Sequence, residues 1–218
     1  MGEVEILHDS HRIIVHGLIV IYGDAASEGL AVQIAKDIED AWNAAAAEVE
    51  IKKELYDVRF DIKGQFNSAL TEIDVLSSTE PRTNFFRIEE YANGDISYVD
   101  DVPSNTGYFK LANLISPSTT AAHEFGHTLG LHHPEELDIR GKGIPGIMYP
   151  RGTLVDSEFQ YMPEVEAGLK GGTLNPVHRS VTQNDIDLLK IDELEFDEKG
   201  FAILGGFTSV WHDKQIPV

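Results

Sequence analysis

Cysteine is absent from this 218-residue chain. Without it no disulfide can form, so the sequence gives no evidence for an oxidising compartment. Long apolar runs are also lacking, because the longest, residues 13–21, is interrupted by His16 and Gly17. A membrane-spanning helix needs about 20 consecutive apolar residues. We therefore expect no contact with a membrane, and we interpret the run as a buried strand.

Basic side chains are scarce, with 17 Lys and Arg against 37 Asp and Glu, for a net charge of −20. Such a surface repels phosphate groups, so we expect neither nucleic acid nor anionic lipid as a partner. The acidity leaves calcium binding open, with Asp95, Asp100 and Asp101 as candidates, although their spacing matches no EF-hand. We expect a monomer.

The length of the sequence is in the range of one domain and is ample for a sizeable core. The first residues lack the charged start, apolar segment and small-residue cleavage site of a signal peptide. Three interpretations stay open, namely a mature enzyme, a domain of a larger protein and a cytoplasmic protein. Localisation is therefore undecided.

The most informative segment is residues 123–133, HEFGHTLGLHH. If it is helical, His123 and His127 project from one face about one turn apart and can share a metal ion. A continuing helix would carry His133 away from that metal. Gly130 solves this, because glycine adopts the left-handed conformation that ends helices and lets the backbone bring His133 back.

Three histidines around zinc leave the fourth tetrahedral position open, which is typical of a catalytic site. Glu124 follows a ligand directly and would act as general base on a water molecule at that position. His132 is the nearest competitor of His133 for the third place, and the spacing from Gly130 favours His133.

Other interpretations of the HExxH core are weighed against this one. Hydrolases that use a Cys ligand are excluded by composition. A third ligand from a downstream Glu, such as Glu158, Glu164 or Glu166, would leave Gly130 and His133 unexplained. A zinc-binding module without catalysis would have no use for Glu124.

The full pattern HExxHxxGxxH resembles the metzincin clan of zinc peptidases. Residues 146–150, GIMYP, resemble the clan's Met-turn, which places Met148 beneath the zinc ligands. His133 followed by Pro134 is similar to serralysins, whereas the IMYP stretch is similar to matrixins. In serralysins and astacins a tyrosine two residues after the Met can reach the zinc; here that position is Pro150, and no such role is assigned to Tyr149. The matrixin cysteine switch has no counterpart, because there is no Cys.

The resemblance implies a zinc endopeptidase that acts on a protein or peptide substrate, and it favours secretion or export. Within this interpretation the protein could also be a peptidase toxin domain of a larger bacterial secreted protein. The implied fold is α+β, a twisted mixed sheet backed by two helices. One catalytic domain, 1–218, would comprise an upper part, 12–130, a lower irregular part, 131–195, that ends in a helix, and an extension, 196–218, of open role.

Local patterns predict the elements. Residues 13–22, 56–62 and 108–114 are expected as strands, and Ser27 as the N-cap of a helix with an apolar stripe from Leu30 to Ala45. Ser118 or Thr119 is expected to cap the helix that carries the zinc motif, and Thr182 the final helix. Two hairpins are expected, 85–91 with 96–99 around Asn93 and Gly94, and 201–204 with 207–211. The resemblance makes 96–99 or 108–111 the edge strand that would bind substrate.

Overall fold

The computed structural model describes residues 1–115 and 117–217. Within them lie eight strands and four α-helices, connected in part by short 3₁₀ turns. The strands are β1 (Gly2–Leu7), β2 (Arg12–Tyr22), β3 (Glu48–Ile51), β4 (Glu54–Phe66), β5 (Thr83–Glu89), β6 (Tyr98–Val99), β7 (Thr106–Lys110) and β8 (Phe201–Leu204). The helices are α1 (Glu28–Asn43), α2 (Glu72–Leu76), α3 (Thr120–Thr128) and α4 (Gln183–Asp187).

All eight strands form one mixed sheet, and the fold is α+β as expected. Its main path is β3-β4-β2-β5-β7-β6. The pairs β2–β4, β2–β5 and β5–β7 are parallel, whereas β3–β4 and β6–β7 are antiparallel. The long strand β2 also pairs through its first half with β1, which in turn pairs with β8. The end of the sheet near the zinc motif is β6.

Helix α1 begins where the sequence predicts, because the Ser27 side chain accepts a hydrogen bond from the Leu30 N–H at 3.3 Å. Its buried stripe is Ala31, Ile34, Ala35, Ile38 and Trp42. The helix ends at Asn43, before the expected Ala45. The Asn43 side chain makes two 2.9 Å hydrogen bonds with the backbone of Phe60. These bonds fix the end of α1 to β4, and the backbone then turns into β3.

Helices α1 and α3 lie on the same face of the sheet. The indole N–H of Trp42 donates to the Ala122 carbonyl at 3.1 Å. The rings of Trp42, Phe60 and Phe125 pack together, with centroids 5.0 to 6.5 Å apart. Gly17 of β2 has no side chain where the Phe125 ring sits, since a Cβ there would lie 3.3 Å from that ring. The helix with the zinc motif is therefore seated directly on the sheet.

The predicted hairpin of 85–91 with 96–99 is wrong. Strand β5 pairs in parallel with β7, and β6 pairs with the other side of β7. Asn93 and Gly94 form part of a 3₁₀ turn, and β7 lies between the two expected partners. Phe86 and Phe109 stack with centroids 4.3 Å apart, burying both rings. Strand β6 is only two residues long and would cover less of the apolar surface of β5 than β7 does. The packing of β5 on β7 therefore outweighs the turn signal of Asn93 and Gly94.

The predicted hairpin at the C-terminus is also wrong. Strand β8 pairs with β1, a strand that the sequence analysis did not predict. Residues 207–217 form no regular element and lie along the sheet. The Trp211 ring stacks on Tyr22 at a centroid distance of 4.8 Å, and His212 Nε2 lies 2.7 Å from an Asp100 oxygen. The extension thus packs on the domain.

The final helix starts as expected with a reciprocal cap. The Asp185 carboxylate accepts from the Thr182 N–H at 2.7 Å, and the Thr182 side-chain oxygen accepts from the Asp185 N–H in return. The helix is only five residues long. No helix in the described part of the protein is both long and apolar enough to cross a membrane.

Candidate metal centre and its cleft

Helix α3 carries the first half of the site, and all nine of its residues are buried. It begins at Thr120 with Thr119 as its N-cap residue, whose side chain makes no capping bond, and the Ser118 hydroxyl just before it accepts from the Thr120 N–H at 3.1 Å. Because the whole helix is buried, other parts of the protein contact it on every side. Its side chains are therefore held in fixed positions.

Two backbone carbonyls orient the histidines of the helix. His123 Nδ1 lies 2.7 Å from the Ile147 carbonyl, and His127 Nδ1 lies 2.7 Å from the Leu131 carbonyl. A carbonyl oxygen only accepts, so each Nδ1 carries the proton and donates it. The Nε2 atom of each ring then has a free lone pair, the form that binds a metal.

Gly130 ends the helix by a Schellman arrangement. The Leu131 N–H bonds the Gly126 carbonyl at 3.0 Å, and the Gly130 N–H bonds the His127 carbonyl at 3.1 Å. Gly130 has a φ of +105°, a region in which L side chains are strained. The turn both reverses the backbone and presents the Leu131 carbonyl to His127.

This reversal brings His133 to the other two histidines. His133 Nε2 lies 3.1 Å from the Nε2 of His123 and 3.1 Å from that of His127. Two nitrogens bound tetrahedrally to zinc at about 2.0 to 2.1 Å would be about 3.3 Å apart, so the three atoms fit one ion. Among the described residues this is the one group of three or more His, Asp or Glu side chains able to hold a metal. His132 is not part of it.

The surroundings keep these rings neutral. Burial lowers the pKa of His123 well below its usual value and that of His127 to about 4, and it also lowers the pKa of His133, which is more exposed. The positive charge of Arg179 acts in the same direction on all three. Neutral imidazoles are the ligands that zinc requires.

Glu124 lies beside the group but is not one of its members. Its side chain is only 6% exposed. Burial raises the pKa of Glu124 to about 8, although the Arg179 charge and a hydrogen bond from the Val99 backbone oppose the shift. A carboxyl group with a raised pKa can both accept and release a proton near neutrality.

Met148 packs against the underside of α3. It is 2% exposed, and a Cβ placed on Gly126 would lie 2.4 Å from its sulfur. Gly126 lies between the two histidines of the helix, so the thioether touches the backbone that carries them. The preceding residue, Ile147, supplies the carbonyl that orients His123. Residues 147 and 148 thus support the site from below.

A cleft of about 710 Å³ opens above the histidines. Its lining includes residues 96–99, which contain strand β6, and residues 150–152. Of the two segments expected to bind substrate, 108–111 overlaps β7, which is covered on both sides by β5 and β6. Residues 98–99 form the open edge beside Glu124.

Two arginines of the cleft were not anticipated from the sequence. Arg179 lines it close to Glu124, is 6% exposed, and has its pKa lowered to about 10 by burial. Arg151 lies further out, is exposed, and bonds the Asn113 side-chain oxygen at 3.1 Å. Both lie in an irregular stretch without periodicity, so no sequence pattern connects them with the zinc motif.

The other candidates lie apart from the metal centre. Glu158, Glu164 and Glu166 are all exposed and do not belong to the histidine group. Among the calcium candidates, Asp100 accepts from Thr106 and contacts His212, while Asp95 pairs with Lys110. Asp101 is exposed. Calcium binding stays a prediction.

Similarity to known proteins is found in structure and not in sequence. No family model matches the sequence, and no curated protein does so. Among solved structures, archaemetzincin from Methanopyrus kandleri is similar over 81% of this chain and 95% of its own, with 15% identity and a TM-score of 0.43. Myroilysin is similar over 83% of this chain and 94% of its own, with 13% identity and a TM-score of 0.38. At these values both likenesses are weak, and what the site can do follows from its own geometry.

Proposed function

We propose that this protein is a zinc-dependent endopeptidase of the metzincin type, built as one catalytic domain. The observation that carries the proposal is the convergence of three Nε2 atoms, from His123, His127 and His133, beside a buried carboxyl group in an open cleft. Three histidines leave a coordination position free, and an open position suits catalysis better than structural support.

A zinc ion in this place would polarise the scissile carbonyl and make water a stronger nucleophile. Glu124 would accept the proton of the attacking water and pass it to the leaving amine. Burial raises the pKa of Glu124 in the metal-free site and so favours proton uptake, whereas a zinc ion beside it would favour the ionised form that accepts the proton. The Val99 backbone N–H bonds the carboxylate, and the charge of Arg179 favours its ionised form.

The substrate would bind in extended form along β6. This strand ends the sheet, so its outer N–H and C=O groups are available to pair with a peptide. A peptide added there would run past Glu124, whose carboxylate is already close to Val99. Only unpaired backbone can bind this way, so flexible segments should be cut and folded domains should resist.

A zinc-binding module without activity is the competing function from another class. Glu124 disfavours it, because burial of a carboxyl group without a full set of partners is costly and zinc binding alone does not need it. A module would also have no use for a cleft of this size next to the open position.

Incubation with an unstructured protein, followed by mass spectrometry of the fragments, tests the function. We expect internal cuts that disappear with a chelator and return with added zinc. The matched control is a tightly folded domain, which should stay intact. Stepwise removal of residues from one terminus, or cuts that persist in chelator, would overturn the proposal.

A further inference from the structure

Arg179 is a buried cation with no carboxylate partner among the described residues. Its Nε donates to the Thr119 hydroxyl at 3.0 Å, and its Nη1 donates to the Tyr149 carbonyl at 3.2 Å. Both acceptors are neutral. The charge of Glu124 favours the charged state of Arg179, but no carboxylate of the described residues forms an ion pair with the guanidinium.

One end of the guanidinium reaches the cleft. Nη2 makes no hydrogen bond with the described residues. Only two fully buried side-chain atoms of these residues lack a partner, Asn105 Nδ2 and Gln160 Oε1, so Nη2 is accessible to solvent. Arg179 also lines the cleft together with Glu124 and His123. Nη2 therefore presents its N–H groups to whatever fills the cleft.

Two further features favour an anion at this place. Thr119 and Thr120 start helix α3, and the N-terminus of a helix carries a partial positive charge. Arg151 lines the outer part of the same cleft. Its charge lies close enough to Arg179 to disfavour the charged state of Arg179, so the two cations repel until an anion lies between or beside them.

We propose that Arg179 makes the cleft selective for a carboxylate of the peptide substrate, either an acidic side chain near the scissile bond or the C-terminus of the peptide. The proposal rests on the proposed peptidase function and names its substrate class. Arginine suits the task, because its planar fork matches the two oxygens of a carboxylate. Arg179 is fixed at Nε and Nη1, so its free end is oriented in advance.

The test measures binding separately from cleavage. Zinc-loaded Glu124→Gln protein is titrated with short fluorescent peptides that differ at one position, Asp or Asn. We expect the Asp peptide to bind at least about tenfold more tightly, with the difference shrinking at high salt. Peptides with a free or an amidated C-terminus form the second arm and tell the two carboxylate sources apart.

The same titration with Arg179→Met added should abolish the preference, and Arg179→Lys should restore part of it, since lysine keeps the charge and loses the fork. Arg59→Met is the matched control. Arg59 alternates with Phe60, which faces α3, so it lies on the opposite face of the sheet and should leave the preference unchanged. Zinc content and circular dichroism check that each variant is folded.

Equal binding of the acidic and amide peptides to the Glu124→Gln protein overturns the proposal without any need for the Arg179 variants. So does the absence of binding of any peptide. A loss of cleavage rate in Arg179→Met that is uniform across all peptides, with no change in selectivity, would assign the residue to the reaction instead. If acidic peptides are preferred but the wild-type protein cuts none, the anion subsite stands and the peptidase function fails.

Discussion

Helix α3 and the irregular segment 131–180 build the same site by different means. The helix is nine residues long, entirely buried, and fixes His123, Glu124 and His127 through regular geometry. The segment contains no α-helix or strand, yet it supplies His133, the Ile147 carbonyl, Met148 and Arg179. Its residues are held by single hydrogen bonds and turns, such as the bond from the Leu131 N–H to the Gly126 carbonyl.

The comparison shows that the sequence spacing in a helix and the contacts around that helix make separate contributions to the site. Helical geometry places the first two ligands and the carboxylate in any helix with this sequence. The third ligand and the orientation of the rings depend on contacts between the helix and the segment, such as His123 with Ile147 and Gly126 with Met148. Changes in the segment should therefore affect the metal site as strongly as changes in the helix.

The largest effect is expected from removing the ligand that the segment contributes. His133→Ala should lower zinc content as far as His123→Ala does, because each removes one of only three ligands. His132→Ala is the matched control, one residue away and outside the group, and should retain zinc. Metal analysis of the purified variants measures this. Full zinc in His133→Ala with loss in His132→Ala would reverse the assignment.

Acid should weaken the metal-free protein through the helix histidines. The pKa of His127 is about 4 when folded and 6.5 in its ordinary state, so the folded protein binds fewer protons between these values. The contribution of this group to stability is present above pH 6.5 and is lost as the pH falls toward 4.

Glu124 acts in the opposite sense, because its raised pKa of about 8 favours the fold as the pH falls. Denaturant unfolding is therefore best measured in Glu124→Gln without metal, with His127→Asn added as control. The control should show a smaller decline between pH 6.5 and 4. An identical decline in both proteins would contradict the burial of a neutral His127.

Contact between Gly126 and Met148 is expected to couple helix and segment. Gly126→Ala places a methyl group against the buried sulfur and should cost about 1–3 kcal/mol by overpacking, less about 1 kcal/mol from better helix propensity. In a Met148→Ala background the clash with the sulfur is gone and only the Trp42 ring, 3.3 Å from the added methyl group, stays close, so the same change should cost much less. A double-mutant cycle of unfolding free energies should give a coupling of about 0.5–3 kcal/mol. Additive effects would mean that the two residues do not touch.

The smallest effect is expected from Met148→Leu. This change nearly conserves volume, so it should cost under about 1.5 kcal/mol of unfolding free energy and leave zinc content unchanged. Thermal unfolding and metal analysis of the same sample check both statements. Loss of zinc from a folded Met148→Leu protein would mean that the sulfur binds the metal or that the packing is far less tolerant.

Much of the site could be predicted from the sequence, because the spacing of His123, Glu124, His127 and Gly130 has direct geometric meaning on a helix. The cap of α1 at Ser27 and that of α4 at Thr182 were predictable for the same reason. Such signals depend only on neighbours in the sequence.

Features decided by distant contacts were not predictable. The Asn93–Gly94 signal was outweighed by the packing of Phe86 on Phe109, and α1 ends early because Asn43 bonds to β4. Strand β1 depends on β8, which lies near the other end of the sequence. Arg179 enters the cleft through Thr119 and Tyr149, contacts that leave no pattern in the sequence.

The most direct measurement of the central claim is cleavage by Glu124→Gln at known zinc content. Glutamine keeps the shape of the side chain but cannot accept a proton. We predict that the variant retains one zinc per molecule and the wild-type fold, while its cleavage rate falls by roughly 10² to 10⁴. Cleavage at a rate comparable to that of the wild type, at equal zinc content, would contradict the account.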